Sequence, residues 1–263
     1  MDWIKKKIED SNIKQYLFVI SELTGRELKR KYSRSKLGIL WSVLNPLLYM
    51  IVMSLIFSTM FKKSIENFPI YYLCGNVLWS LFNTATNTAM TVLVDNKQML
   101  IKVKIPMQVF VVSRVYTALV NFGYSLIAFF PILLFFKVSL KGAILFIPVI
   151  VLFQLMFTLG FSYILSVSYV LFGDVKHLYG IVLTLWSFLS AIFYPTERLP
   201  IAMRTVVGNN PIYIYIDSLR WIILEGVLPP VNTMIKMVIW SVTVYFIGTH
   251  IFNSSKNKIM QKL

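Results

Sequence analysis

Three groups of side chains in this 263-residue chain have the types and spacing to do chemistry. The first is cationic. Arg26, Lys29, Arg30, Lys31, Arg34 and Lys36 sit directly before a long apolar run. Guanidinium and ammonium groups hold phosphate, the former through paired hydrogen bonds. Arg30, Lys31, Arg34 and Lys36 therefore form a candidate headgroup site, with general attraction to anionic lipid as the competing reading. The second group is neutral and polar or aromatic. Ser42, Asn45 and Tyr49 recur at i, i+3 and i+7, and Ser187, Ser190 and Tyr194 repeat the pattern. Tyr213, Tyr215 and Trp221 lie in a proline-rich stretch beyond. Polar atoms on one face of a spanning helix look for protein or water rather than lipid. An interfacial aromatic belt is the rival reading for the Tyr and Trp side chains. The third group is charged and lies between apolar runs: Asp95, Lys97, Lys102 and Lys104, then Asp174, Lys176 and His177.

Other chemistries lack their residues. No G-x-x-x-x-G-K-[ST] loop is present, so ATP is not held in the P-loop manner. No G-x-S-x-G elbow occurs. The two histidines, His177 and His250, stand far apart, and Cys74 is the single cysteine, which predicts neither a metal site nor an intrachain disulfide. No cofactor is expected in this chain. Asp217, Glu225 and Glu197 are the acidic residues to which a membrane enzyme would have to turn.

These groups need elements to position them. The chain is 57% hydrophobic and only 14% charged, with mean hydropathy +0.70. A soluble domain is about a quarter charged, so an all-α integral membrane protein is expected. The net charge of +15 would suggest nucleic acid in a soluble protein, but here the excess sits in the predicted cytoplasmic segments, and no nucleic-acid partner is expected. About 20 apolar residues cross a bilayer. Charge-free runs predict six spans, at about 37–61, 68–94, 108–136, within 142–172, 178–194 and 231–252. The first run begins too late, and is too long, for a secretory leader.

Ahead of the first span, Ile13, Tyr16, Leu17, Ile20 and Leu23 follow helical spacing, an amphipathic helix lying in the membrane interface, with residues 1–11 polar and ragged. In the second span, Asn83-Thr84-Ala85-Thr86-Asn87-Thr88-Ala89 is small and polar, a composition that favours close helix contact over ligand contact. Asp95 and Gln98 resemble a helix-capping box, opening a short basic helix that Pro106 closes. Between the fifth and sixth spans, residues 201–207 and 212–224 are too short to cross and predict re-entrant helical pieces. Of the 26 Lys and Arg residues, 18 fall on the side of both termini, which makes that side cytoplasmic. The chain reads as one domain: an interface segment (1–36), a six-span core (37–252) and a tail (253–263).

The order of several short motifs resembles a known family over nearly the whole chain. These are Lys29 and Lys31-Tyr32, Leu37-Gly38, Trp41 and Pro46; Lys104-Ile105-Pro106; Phe172-Gly173-Asp174-Val175; Phe193-Tyr194-Pro195; and Asn210-Pro211 leading to Arg220-Trp221. Together they look like the ABC-2 type permease of bacterial polysaccharide exporters, the group that moves O-antigen and teichoic acid. Lys31 departs from the Arg often found there, and Gly173 from the usual Phe-Arg-Asp.

The resemblance implies a homodimer of six-span subunits in the bacterial inner membrane, each with a separate ATPase chain that binds ATP and Mg. It implies a lipid-linked polysaccharide substrate on an undecaprenyl carrier, as in lipopolysaccharide biosynthesis. On that reading the cation cluster meets the carrier's pyrophosphate, and Asp95, Lys97, Lys102, Lys104, Asp174, Lys176 and His177 meet the ATPase. Ser42, Asn45, Tyr49, Ser187, Ser190, Tyr194, Tyr213, Tyr215 and Trp221 line the substrate path, and the short helical pieces form an external gate. The competing readings are a drug-exporting permease of the same fold and a membrane enzyme acting on lipid-linked sugar.

Overall fold

A backbone in hydrocarbon must satisfy its own N–H and C=O groups, and a charge-free apolar chain does so as helix. The structure, a computed structural model, describes residues 2–33, 35–61, 65, 67–102, 105–138 and 141–263, and every regular element among them is helical. The helices are α1 (Asp2–Tyr32), α2 (Trp41–Phe61), α3 (Phe68–Asp95), α4 (Lys97–Lys102), α5 (Met107–Phe135), α6 (Ile147–Leu171), α7 (Val175–Leu189), α8 (Ile201–Gly208), α9 (Pro211–Arg220), α10 (Val231–Ser254) and α11 (Lys256–Lys262). Short 3-10 turns open α2 and α6, and a π-helical turn, Trp221–Glu225, extends α9.

Among the described residues, four stretches are long and apolar enough to cross a membrane: Gly38–Ser58, Met107–Phe135, Gly142–Leu171 and Val231–Ser254. α3 has the length but is interrupted by polar residues. α7, at 15 residues, is apolar but short. The expected fifth span is corrected here: its helix stops at Leu189, because Ser190 and the left-handed Ala191 (φ 46°) break it before Tyr194.

α3 is the centre of the bundle, packing on α5, α6, α2 and α9, while α6 packs most extensively on α10. The α6–α10 crossing depends on glycine: a methyl group at Gly160 or Gly248 would meet the backbone of the opposite helix. The core falls into two parts. The larger surrounds Phe82, whose ring lies 5.2–6.0 Å from those of Trp79, Phe157, Phe161 and Trp186. The smaller, at the opposite end, gathers Leu23 of α1, Leu100 of α4, Phe110 of α5, Phe252 of α10 and Ile259 of α11.

Two local expectations change. α1 runs unbroken from Asp2, so the helix begins well before Ile13. Asp95 does not open α4 with a capping box. It ends α3 and accepts a hydrogen bond from Thr91 Oγ1 (2.8 Å), and α4 starts from the Asn96 carbonyl instead.

Candidate functional site

The polar face of α2 opens into a cavity of about 270 Å³. Ser42, Asn45 and Tyr49 line it, facing Asn76, Ser80 and Thr84 of α3 and Asn121 and Ser125 of α5. The end of α1 closes one side. Tyr32 Oη bonds to Ser42 Oγ and donates to Asn121 Oδ1 at 3.1 Å, and Lys31 Nζ donates to the same oxygen at 3.3 Å. Helical spacing brings the three α2 residues to one face, and the short connection from α1 brings the cation to them. The walls thus carry hydroxyls, carboxamides, the aromatic rings of Tyr32, Trp41 and Tyr49, and one ammonium, a set that binds polyhydroxylated or phosphorylated ligands weakly and reversibly.

The other basic residues divide. Lys36 is exposed, and Arg30 Nη2 lies 3.6 Å from Glu27. Arg34 lies outside the described residues. Arg26 donates to Asn96 Oδ1 at 2.7 Å, tying α1 to the α3–α4 junction. Beside Lys31 and Tyr32, an apolar groove of about 720 Å³ runs between α1, α2 and α5, with Lys29 on its wall.

Two buried arginines were missed as functional elements by sequence reasoning. Arg114, 5% exposed, pairs with Glu27 and locks α1 onto α5. Arginine within a predicted span needs a partner, and Glu27, an acid in a basic run, was the available signal. Arg220, also 5% exposed, donates to the carbonyls of Tyr71, Ala191 and Ile192 at 3.1–3.4 Å, with its guanidinium 3.4 Å from the Tyr71 ring centroid. It ties α9 to the start of α3 and to the turn that follows α7.

Asn210 explains the Asn-Pro pair. Its Oδ1 accepts from Ile212 N (3.1 Å), capping α9, and Pro211 occupies the first helical position, where no N–H is needed. Its Nδ2 donates to Leu189 O and Ser190 Oγ, and Trp186 Nε1 donates to its Oδ1.

Around this joint the aromatic residues separate. Tyr213 Oη and Trp221 Nε1 both donate to the Asp217 carboxylate, at 3.1 and 3.2 Å, and both rings are partly exposed. Tyr194 is partly exposed, and its hydroxyl donates to Phe188 O. Ser187 is partly exposed and bonds its own helix at Thr184 O. Two expected path residues are corrected. Tyr215 and Ser190 are fully buried. Tyr215 bonds Ser241 of α10 and packs on Phe157, while Ser190 donates to Trp186 O and accepts from Asn210, so neither reaches an open surface. Helical periodicity gave the face of each but not which neighbour covers it.

At the end of the smaller core, Asp95, Lys97 and Lys102 are exposed around α4, and Asp174, Lys176 and His177 are exposed at the turn into α7. Lys104 lies outside the described residues. Leu100 anchors α4 in the core while Ile101 projects outward, 62% exposed. Among the described residues, no three His, Cys, Asp or Glu side chains gather as a metal site.

The chain is similar to known proteins over most of its length. The model of the ABC-2 type transporter family matches residues 19–224. The O-antigen export system permease protein RfbA of Myxococcus xanthus is 32% identical over 255 residues, 95% of this chain and 96% of that protein. RfbA of Klebsiella pneumoniae is 26% identical over 250 residues, 94% and 96% of the two chains. The polysialic acid transport protein KpsM of Escherichia coli is 18% identical over 253 residues, 92% and 95%. This chain belongs to the ABC-2 type transporter family.

Proposed function

We propose that this chain is the transmembrane permease of an ABC transporter that exports a lipid-linked polysaccharide, of the O-antigen or teichoic acid kind, across the bacterial inner membrane. The observation that carries the reading is the cavity of Ser42, Asn45 and Tyr49 with Lys31 on its wall: hydroxyl, carboxamide and aromatic groups beside a phosphate-binding cation. The relatives named for O-antigen export and polysialic acid transport support the glycan class.

On this reading the chain works as a homodimer. It has six spans, with α3 and α7 crossing alongside the four apolar stretches, α1 in the interface and both termini cytoplasmic. The whole chain is one transmembrane domain. α8 and α9 dip in as an external gate, held by Arg220 and Asn210. The carrier's pyrophosphate meets Arg30, Lys31, Arg34 and Lys36, and the glycan passes Ser42, Asn45 and Tyr49, then Ser187, Tyr194, Tyr213 and Trp221. A separate ATPase binds ATP and Mg and docks on α4 and the Asp174–His177 turn; this chain hydrolyses nothing itself. A membrane enzyme is disfavoured because the Asp217 carboxylate is already held by Tyr213 and Trp221.

Deletion of the chain in its own bacterium tests the reading. Surface polysaccharide is expected to disappear and lipid-linked glycan to accumulate inside, with both restored by the intact chain. Normal surface glycan after deletion would overturn it. Tyr49→Ala and Tyr194→Ala are each expected to lower export while membrane level and partner ATP hydrolysis persist, whereas belt residues would tolerate the change.

A further inference from the structure

α3 has two unlike sides. Ala85, Thr86 and Ala89 are fully buried, which is the close packing their small size predicts. The other side carries Asn76, Ser80, Asn83, Thr84, Asn87, Thr88, Thr91 and, at its end, Asp95. Steps of three and four place these on one face of the helix. At 1.5 Å per residue the row from Asn76 to Asp95 measures about 28 Å, close to the thickness of the hydrocarbon layer.

None of this row is buried. Asn76, Ser80 and Thr84 line the cavity opposite α2, and Asn87 and Thr88 are exposed beyond it. Its described hydrogen bonds stay within α3. Thr88 Oγ1 donates to Thr84 O (2.8 Å), Asn87 Nδ2 to Asn83 Oδ1 (3.0 Å) and Thr91 Oγ1 to Asp95 Oδ2 (2.8 Å). The Asn83–Ala89 segment is therefore only half an interhelical contact. A carboxamide carries two donors and two acceptor lone pairs, so the single bond between Asn83 and Asn87 leaves most of their capacity unused. Facing lipid, that capacity would be lost at a cost of kilocalories per group.

We propose that this row on α3 is a contact line for a polyhydroxylated chain, guiding the hydroxyl edges of successive sugars across the full thickness of the membrane. The proposal rests on the polysaccharide-permease reading and extends it to residues beyond the α2 face and the aromatic set. Carboxamide and hydroxyl groups match vicinal hydroxyls as both donors and acceptors. Above Asp95 the row holds no charge, so each contact is a neutral hydrogen bond worth roughly 0.5–1.5 kcal/mol net. Contacts that weak and that regularly spaced let a chain slide, and they grip neutral and charged sugars alike.

The test uses the full complex with its ATPase, in a Cys74→Ala background. Single cysteines replace Ser80, Thr84 and Asn87, with Ile127→Cys and Leu152→Cys as controls at exposed apolar positions. A membrane-impermeant, negatively charged methanethiosulfonate is applied to inside-out vesicles. The row is expected to react at least about tenfold faster than the controls, and more slowly when the vesicles come from cells that make the glycan than from cells that do not. Asn83→Leu with Asn87→Leu is expected to lower export about tenfold, the loss of two such hydrogen bonds, at unchanged membrane level and ATP hydrolysis. Labelling no faster than the controls would mean that the row faces lipid or a second copy of the chain, and would overturn the proposal. So would export within about twofold of normal in the double variant. An unaltered chain that exports no glycan defeats the permease reading itself; normal export by the unaltered chain and an indifferent double variant defeats only the contact line.

Discussion

No described residue of α2 is buried, whereas α3 beside it buries 17 residues. Yet α2 lies in a stretch apolar enough to cross a bilayer, and α3, at 28 residues, falls short on polarity. In water the order would be reversed, since apolar surface drives burial there. In lipid the tails are as apolar as Leu, so hydrophobicity gives no reason for one helix to seek another. Helices associate where small residues allow close approach and where polar groups find partners. α3 has both, in Gly75, Ala85, Ala89 and Thr86, and becomes the core. α2 has a polar face toward the cavity, and Leu48, Ile51, Val52, Leu55 and Ile56 remain on the outside.

The comparison predicts a wide gap between truncations in the two helices. Phe82 of α3 is fully buried among four aromatic rings. Phe82→Ala is expected to cost about 3 kcal/mol, because the cavity term persists even where the transfer term is weakened by lipid. Leu55 is 74% exposed, and Leu55→Ala is expected to stay within about 0.5 kcal/mol. Reversible unfolding of the purified chain in mixed micelles measures both. Equal losses would mean that α2 packs against protein as tightly as α3 does.

Arg220 fixes the start of α3 to the turn after α7, the other helix with a largely exposed face. Arg220→Met leaves the carbonyls of Tyr71, Ala191 and Ile192 without their donor. The expected cost is about 2 kcal/mol, typical of a hydrogen-bonded charge. The loss should be local, with amide exchange faster at residues 189–196 and unchanged at residues 77–93. Arg220→Lys is expected to recover only part, since an ammonium cannot span three carbonyls as a planar fork does.

Much of this was legible in the sequence, for physical reasons. Charge-free length located α2, α3, α5, α6 and α10 closely, and the prolines beyond the fifth span located α8 and α9. The face shared by Ser42, Asn45 and Tyr49 followed from helical spacing, and the structure puts all three on one cavity. What failed was anything that depends on the neighbour. Tyr194 and Ser190 continue the spacing of Ser187 on paper, but the left-handed Ala191 ends the helix between them. Tyr215 and Tyr213 look alike in sequence, yet one meets Ser241 in the core and the other meets Asp217 near the surface. Arg220 stands in the sequence only as part of a motif with Asn210-Pro211, whereas its partners are the carbonyls of Tyr71 in α3 and of Ala191 and Ile192 just past α7.

The smallest effect tests the idea that polar residues on α3 serve two purposes. Of the hydroxyls in the Asn83–Ala89 segment, Thr86 makes a bond to another helix: Tyr179 Oη of α7 donates to Thr86 Oγ1 at 2.6 Å, and Thr86 Oγ1 donates in turn to Phe82 O at 2.8 Å. Both residues are buried. Hydrogen bonds between membrane helices are worth about 0.6 kcal/mol on average, because the separated helices also find partners. A double-mutant cycle of Thr86→Val and Tyr179→Phe is therefore expected to return a coupling of about 0.6 kcal/mol. Neither single change should alter labelling of the open row. Asn87→Leu, one position along and about 100° around α3 on its exposed face, should leave stability unchanged within about 0.5 kcal/mol. If instead Asn87→Leu destabilises the fold while the Thr86–Tyr179 coupling vanishes, the two sides of α3 have been assigned the wrong way round. The exposed carboxamides would then be the contacts that hold the bundle together.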